Sequence, residues 1–169
     1  MTFIALTWLF VLATAVHNAE EAIWLPAWSR TAGRWHRAVG ATEFRFAVAV
    51  LTILAVISAW LAMVQGKERL GAYLVAGYAL AMALNAIFPH LLASLALRRY
   101  MPGTATGMLF NLPIGAALLT QAMREGYIDA STFLGFGPLV VIGLLASIPL
   151  LFAIGRRMGG CQFEWRSAI

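Results

Sequence analysis

A histidine and two adjacent glutamates lie inside an apolar segment of the chain, in the stretch TAVHNAEEAIW from Thr14 to Trp24. His17, Glu20 and Glu21 are spaced i, i+3 and i+4, so a helix presents all three side chains within about 100° of arc. An imidazole and a carboxylate one helical turn apart can ligate a metal ion or pass a proton. This stretch is therefore the first candidate for a chemical site.

A second histidine within an apolar stretch, His90, would complete a set of metal ligands. Two neutral imidazoles and a carboxylate are a common first shell for Zn²⁺, and iron or manganese suits the same set if more positions stay open. We expect His17, His90 and one of Glu20 and Glu21 to be ligands, with zinc as the favoured metal. The other glutamate would act as general base on the bound water.

The composition is that of an integral membrane protein. Hydrophobic residues make up 62% of the 169 residues and charged residues 11%, whereas a soluble domain carries about 25% charged residues. The formal charge of +5 does not indicate nucleic-acid binding, because the basic residues fall in the connectors. The N-terminus lacks a positively charged signal region, so we expect the first apolar segment to be retained. We expect a multi-pass protein of the cell inner membrane, with membrane lipids around it.

Five apolar stretches divide the chain, each near or above the ~20 residues needed to cross the hydrocarbon core. They cover roughly residues 2–27, 43–65, 70–97, 104–123 and 133–155. Since the connectors are too short for a soluble domain, the sequence predicts an all-α fold, with residues 1–169 forming one domain of five transmembrane helices. Glycines and prolines in the fifth stretch also permit a homo-oligomer interface.

The basic residues predict the orientation of the five helices. An odd number of spans puts the two termini on opposite sides of the membrane. The C-terminal side would carry Arg30, Arg34, Arg37, Arg45, Arg98, Arg99, Arg156, Arg157 and Arg166, against Lys67, Arg69 and Arg124 on the other side. The positive-inside rule then places the C-terminus in the cytoplasm and the N-terminus outside.

Polar residues of three stretches fall at one depth in this topology, roughly 9–18 Å inside the cytoplasmic helix ends at 1.5 Å per residue. They are His17, Glu20, Glu21, Asn85, His90 and Asn111. Charged groups at that depth should face the bundle interior and find partners there.

Two further features bring the asparagines toward this layer. Pro89 cannot donate to the carbonyl of Asn85, so we expect a helix break between Asn85 and His90. In the fourth stretch, small residues at four-residue spacing place Asn111 on a packed seam. We expect Asn85 and Asn111 to bind substrate or orient ligands, and interhelical hydrogen bonding explains them equally well.

These motifs resemble those of the HXXEE domain, a family of small bacterial membrane proteins. His17-Asn18-Ala19-Glu20-Glu21 matches the motif that names the family, and His90 matches its second histidine. Tyr100-Met101-Pro102-Gly103 matches its Tyr-x-Pro-Gly element, and the similarity extends from about Leu6 to Met123. The resemblance implies that Tyr100 is a catalytic neighbour at the cytoplasmic mouth of the site, but it implies no particular reaction.

The function favoured by the sequence is a metal-dependent, hydrolase-like reaction on a lipidic or small hydrophobic substrate, with Glu20, Glu21 and Tyr100 as catalytic residues. A metal-free acid–base isomerase of an isoprenoid or sterol-like lipid would use the same groups to move a proton. A proton-coupled transporter is the third alternative, because intramembrane histidines and glutamates also mark proton pathways. The absence of paired halves with matching broken helices in the sequence weighs against a transporter.

Overall fold

The computed structural model describes residues 1–33 and 38–166, and side chains up to residue 158. All regular secondary structure in these residues is helical. The elements are α1 (Phe3–Ser29), α2 (Ala41–Gln65), α3 (Leu70–Asn85), the π-helix π1 (Ala86–Leu91), α4 (Leu92–Ala96), α5 (Thr104–Thr106), the π-helix π2 (Gly107–Asn111), α6 (Leu112–Arg124) and α7 (Ala130–Arg166). The predicted all-α class is confirmed for this part of the chain.

Four helices are long and apolar enough to cross a membrane, as the sequence predicts for a membrane protein. They are Phe3–Ser29, Ala41–Gln65, Leu70–Ala96 and Ala130–Met158. The predicted helix over 104–123 is divided into α5, π2 and α6, and it is not among these four. Four of the five predicted spans are thus supported. Of the arginines used to predict the orientation, Arg34, Arg37 and the side chain of Arg166 lie outside the described residues.

The core is built by α1, α2 and α3, with α6 and α7 packed around them. α3 contacts α2, α6 and α7, and α1 contacts α2 and α6. Asn18 fixes the rotation of α1, because its side-chain amide donates to the hydroxyl of Thr52 on α2 at 2.8 Å. As a result, the buried face of α1 carries Thr14, His17 and Glu21 into the bundle.

Two π-helical segments interrupt the helices at the same end of the bundle. They contact each other, π2 packs against α1, and π1 reaches α1 through the side chain of His90. In π1 the backbone leaves helical geometry at Phe88, with φ −125° and ψ 119°, directly before Pro89. This break lies where the proline predicts it, because the ring removes a donor and crowds the preceding turn. Such interruptions are frequent at functional sites, and here they bring three chain segments together.

We predict that Gly71→Ala separates α2 from α3. A Cβ atom at position 71 would lie 2.4 Å from the backbone nitrogen of Ala62 and 2.4 Å from the carbonyl carbon of Leu61. Neither backbone atom can rotate away, so we expect a loss of about 1–3 kcal/mol in stability. Thermal unfolding in detergent measures this loss.

Gly135→Ala is the matched control, since a Cβ there meets no atom within 4 Å. An equal melting temperature for Gly71→Ala and Gly135→Ala would contradict the close contact between α2 and α3.

Candidate functional site

Three side chains meet inside the bundle with their potential ligand atoms within 4.8 Å of one another: His17, Glu21 and His90. Glu21 Oε1 lies 3.0 Å from His90 Nε2, and Glu21 Oε2 lies 3.7 Å from His17 Nε2. The two histidines are 0% and 1% exposed and Glu21 is 9% exposed. One carboxylate therefore faces two buried imidazoles.

Helix geometry and the break in the third helix position this cluster. His17 and Glu21 are one turn apart on α1, so their side chains lie on the same face. His90 comes from π1, directly after Pro89. Its ring meets that of His17 edge to face, with centroids 5.0 Å apart and an interplanar angle of 89°.

Glu20 points in a different direction from Glu21 and is held by three donors. Its Oε1 accepts hydrogen bonds from the Tyr100 hydroxyl and from the backbone N–H of Gly103 at 2.9 Å. Its Oε2 accepts from the Thr106 hydroxyl at 2.6 Å. A carboxylate offers about four lone-pair sites, so Glu20 has little capacity left, whereas Glu21 faces only the two imidazoles.

Tyr100 closes the outer side of this arrangement. Partial burial, and then the hydrogen bond to the Glu20 carboxylate, raise the pKa of its phenol. Tyr100 therefore stays protonated at neutral pH and acts as a donor. Its hydroxyl also accepts from the backbone N–H of Ala105 at 3.2 Å.

A chain of side chains links Glu20 to the first histidine. His17 Nδ1 lies 3.0 Å from the Thr106 hydroxyl that donates to Glu20. On the other side of the ring, His17 Nε2 lies 3.3 Å from the side-chain nitrogen of Asn85. Both nitrogens of this buried imidazole thus have defined neighbours.

Gly103 lies against both imidazoles, which explains the residue type at the end of the Tyr-x-Pro-Gly element. Its φ is +95°, a conformation that side chains disfavour. A Cβ atom there would lie 2.6 Å from His90 Cε1 and 3.0 Å from His17 Cε1. The turn is tied down by Thr104, whose hydroxyl donates to the carbonyl of Met101 at 2.7 Å.

Six of the residues singled out in the sequence form one connected set: His17, Glu20, Glu21, Asn85, His90 and Tyr100. Asn111 does not join them through a hydrogen bond. It is 0% exposed, and its side-chain amide has no hydrogen-bond partner among the described residues. The ligand and base roles of the two glutamates stay predictions.

Thr106 is the site residue that sequence reasoning missed. A threonine near a helix start usually bonds its own backbone, so its type gives no signal of a site. Its position does give one, because it is the third residue of the helix that begins directly after the Tyr-x-Pro-Gly element.

A groove of about 840 Å³ runs along the outer side of Glu20. Most of its lining is apolar, and its polar residues Glu20, Tyr100 and Thr106 lie together, because Tyr100 and Thr106 both donate to Glu20. The residues are Val16, Ala19, Glu20, Ile23, Trp24, Trp28, Tyr100, Pro102, Ala105 and Thr106. Glu20 and Thr106 therefore separate this groove from the buried imidazoles.

The chain is similar to a known protein family and to a curated relative. Residues 8–118 match the family described as "Protein of unknown function with HXXEE motif". The chain is 38% identical over 149 residues to the uncharacterized protein YrkK of Bacillus subtilis (strain 168), which covers 88% of this chain and 94% of that protein. No solved structure matches the chain.

We predict that Gly103→Ala displaces both imidazoles and destabilises the protein. The substitution adds two costs, the left-handed backbone, at roughly 1–2 kcal/mol, and the clash with His90. Gly126→Ala separates these costs, since Gly126 has φ +70° and open space for a Cβ. We expect a clearly larger fall in melting temperature for Gly103→Ala, and equal falls would contradict the contact.

Proposed function

The chain belongs to the HXXEE family, and we propose that its histidine–glutamate cluster binds a divalent metal ion and catalyses a hydrolase-like reaction on a lipidic or small hydrophobic substrate. The observation that carries the proposal is the convergence of two imidazoles and one carboxylate within 4.8 Å inside the bundle. The three side chains come from two helices that are far apart in sequence.

The donor set favours zinc, with iron or manganese as alternatives. Two histidine nitrogens and one carboxylate oxygen leave a fourth position for water or substrate. A cation also explains how a carboxylate is stable among apolar helices, since an isolated charge there is costly. A bound Zn²⁺ would supply a Lewis acid and would activate a water molecule near neutral pH.

The hydrogen bonds suggest different roles for the two glutamates. Glu21 has free lone pairs and faces both histidines, so we assign one oxygen to the metal and the other to accepting a proton. Glu20 already accepts three hydrogen bonds, so we assign it to holding Tyr100 and Thr106. Tyr100, whose hydrogen goes to Glu20, would accept a hydrogen bond from the polar part of the substrate. Asn85 would orient His17 before the metal binds, because its side-chain nitrogen lies 3.3 Å from His17 Nε2.

The groove beside Glu20 supports an amphipathic substrate. Its walls include Val16, Ile23 and Trp24, which offer apolar surface to a hydrocarbon chain. Glu20 and Tyr100 belong to its polar part, where they would meet a head group. A molecule entering from the lipid would therefore have its reactive group on the side of the buried cluster.

We propose further that the chain crosses the cell inner membrane five times, with the N-terminus outside and the C-terminus in the cytoplasm. The interrupted segment from Thr104 to Arg124 would be the remaining crossing. The site lies at the bundle end that carries Arg98 and Arg99, so it would open toward the cytoplasmic leaflet.

A metal-free acid–base isomerase is the second candidate, and one observation favours it. The Glu20 carboxylate and the Tyr100 hydroxyl line the groove directly, whereas His17, Glu21 and His90 do not. A substrate in the groove would thus meet a carboxylate and a phenol first, and this pair could move a proton along a lipid.

We predict that the purified protein contains about one zinc, iron or manganese ion per chain, as expected for one set of three ligands. His17→Ala, His90→Ala and Glu21→Gln should each lose the metal, measured by mass spectrometry of the detergent-purified protein. Glu68→Gln is the matched control, because it removes a carboxylate in the loop between α2 and α3. Wild-type protein that is folded, metal-free and unable to take up zinc would refute the metal site.

We predict hydrolysis of fatty-acyl esters presented in micelles, increasing with acyl-chain length because the groove is apolar. Chelation and Glu21→Gln should each lower the rate at least 100-fold, on the order of one lost catalytic group. A lipid double-bond shift that survives chelation and is lost in Glu20→Gln would replace the hydrolase by the isomerase. A flux that depends on a pH gradient, without a chemical product, would instead indicate transport.

A further inference from the structure

The buried imidazole of His17 has two different neighbours, and the hydrogen-bonding capacity of those neighbours decides which nitrogen carries the proton. We infer that Glu20 and Thr106 are positioning residues that hold His17 as the Nδ1–H tautomer, so that its Nε2 lone pair faces Glu21 and His90. The inference rests on the proposed function only in taking Nε2 as the metal-ligating atom.

The first step concerns the single hydrogen of the Thr106 hydroxyl. Its nearest acceptor is Glu20 Oε2 at 2.6 Å, and a carboxylate only accepts. Two more distant acceptors are also within reach, the carbonyl oxygen of Gly103 at 3.4 Å and, if it carries no hydrogen, His17 Nδ1 at 3.0 Å. The short, charge-assisted bond is the stronger one, so the hydroxyl hydrogen points to Glu20.

The second step follows from that direction. Thr106 Oγ1 can then only accept from His17 Nδ1, which lies 3.0 Å away. Two lone pairs at this distance would repel each other in a site with no solvent exposure at His17. Nδ1 therefore carries the proton, and neutral His17 has its lone pair on Nε2.

The opposite side of the ring agrees with this assignment. The side-chain nitrogen of Asn85 lies 3.3 Å from His17 Nε2, and an amide nitrogen donates. Glu21 Oε2 is 3.7 Å from the same atom. Without a cation the Nε2 lone pair accepts the amide hydrogen of Asn85, and a cation shared with Glu21 would replace that hydrogen bond.

This hydrogen-bond arrangement sets the tautomer of His17 alone. His90 Nδ1 is buried without a hydrogen-bond partner among the described residues. The Glu20–Thr106 pair thus acts on one ligand only, in the way that a carboxylate orients a metal-bound histidine in other proteins. Here a threonine hydroxyl relays the effect of the carboxylate.

The hydrogen bond between Thr106 and Glu20 predicts that Glu20→Gln reverses the tautomer of His17. The amide oxygen of the glutamine must stay with the two donors of Oε1, Tyr100 and the N–H of Gly103. Its NH₂ group then faces Thr106 and donates to Oγ1. The Thr106 hydroxyl would turn its hydrogen to His17 Nδ1, and the ring proton would move to Nε2.

Nitrogen NMR on histidine-labelled, chelated protein, at a pH above the ordinary histidine pKa, distinguishes the two neutral tautomers. The His17 signals are assigned by their loss in His17→Gln. We expect the Nδ1–H form in wild type and in Thr106→Ser, which keeps the hydroxyl. We expect the Nε2–H form in Glu20→Gln, and a mixture in Thr106→Val, which keeps the shape but not the hydroxyl.

Zinc titration of the same proteins gives a second readout. Loss of an outer-shell partner of a metal-bound histidine typically costs about 10–100-fold in affinity. We expect that loss in Glu20→Gln and Thr106→Val, and an affinity near that of wild type in Thr106→Ser. A purely structural role would not produce rescue by serine together with the tautomer change.

An Nε2–H His17 in chelated wild type overturns the inference, as does an unchanged tautomer in folded Glu20→Gln. If Glu20→Gln does not fold, wild type and Thr106→Val decide, because only the hydroxyl relay predicts a mixture in the valine variant. Since the tautomer is measured without metal, a wild type that binds no zinc but shows the expected tautomers would refute the metal site and support the relay.

Discussion

A carboxylate inside an apolar helix is stable only where donors or a cation surround it, because hydrocarbon offers neither. Glu20 and Glu21 are adjacent on α1, so their side chains leave the helix about 100° apart. The two carboxylates therefore need different partners. Glu20 takes three donors from the Tyr100–Thr106 segment. Glu21 instead faces the two buried histidines. The arrangement of this end of the bundle follows from satisfying both charges.

The interruptions in the helices make that arrangement possible. A regular helix through Asn85 and His90 would turn these two side chains about 140° apart, since each residue adds about 100°. The departure at Phe88 lets both approach His17. The left-handed Gly103 directs a backbone N–H to Glu20 and brings its own backbone against the imidazoles. Regular helices therefore supply the scaffold, and the irregular segments supply the contacts.

The site has an inner and an outer side that differ in chemistry. The inner side, with His17, Glu21 and His90, is buried and suited to a metal ion. The outer side, with Glu20 and Tyr100, borders an apolar groove. Thr106 lies between them and touches both. The proposed reaction would use this combination, because a hydrophobic substrate could stay in the lipid while its reactive group meets a polar, preorganised centre.

The sequence by itself determined the features that depend on local order along the chain. Apolar length predicted the four helices that are long and apolar enough to cross a membrane. Helical spacing put His17 and Glu21 on one face, and Pro89 marked the break before His90. It overestimated the continuity of residues 104–123, because the length of an apolar run does not reveal a π-helical turn.

Only the tertiary structure decided which side chains meet. The predicted depth in the membrane places Asn85 and Asn111 in the same layer. Rotation about the helix axes nevertheless brings Asn85 to His17 and leaves the Asn111 side chain without a hydrogen-bond partner among the described residues. The same rotations give Glu20 and Glu21 different partners. They also bring Thr106 into the site, although its residue type gives no signal of a site role. Helix rotation and the path of a turn arise from packing between segments distant in sequence, and a single sequence does not encode them in any local pattern.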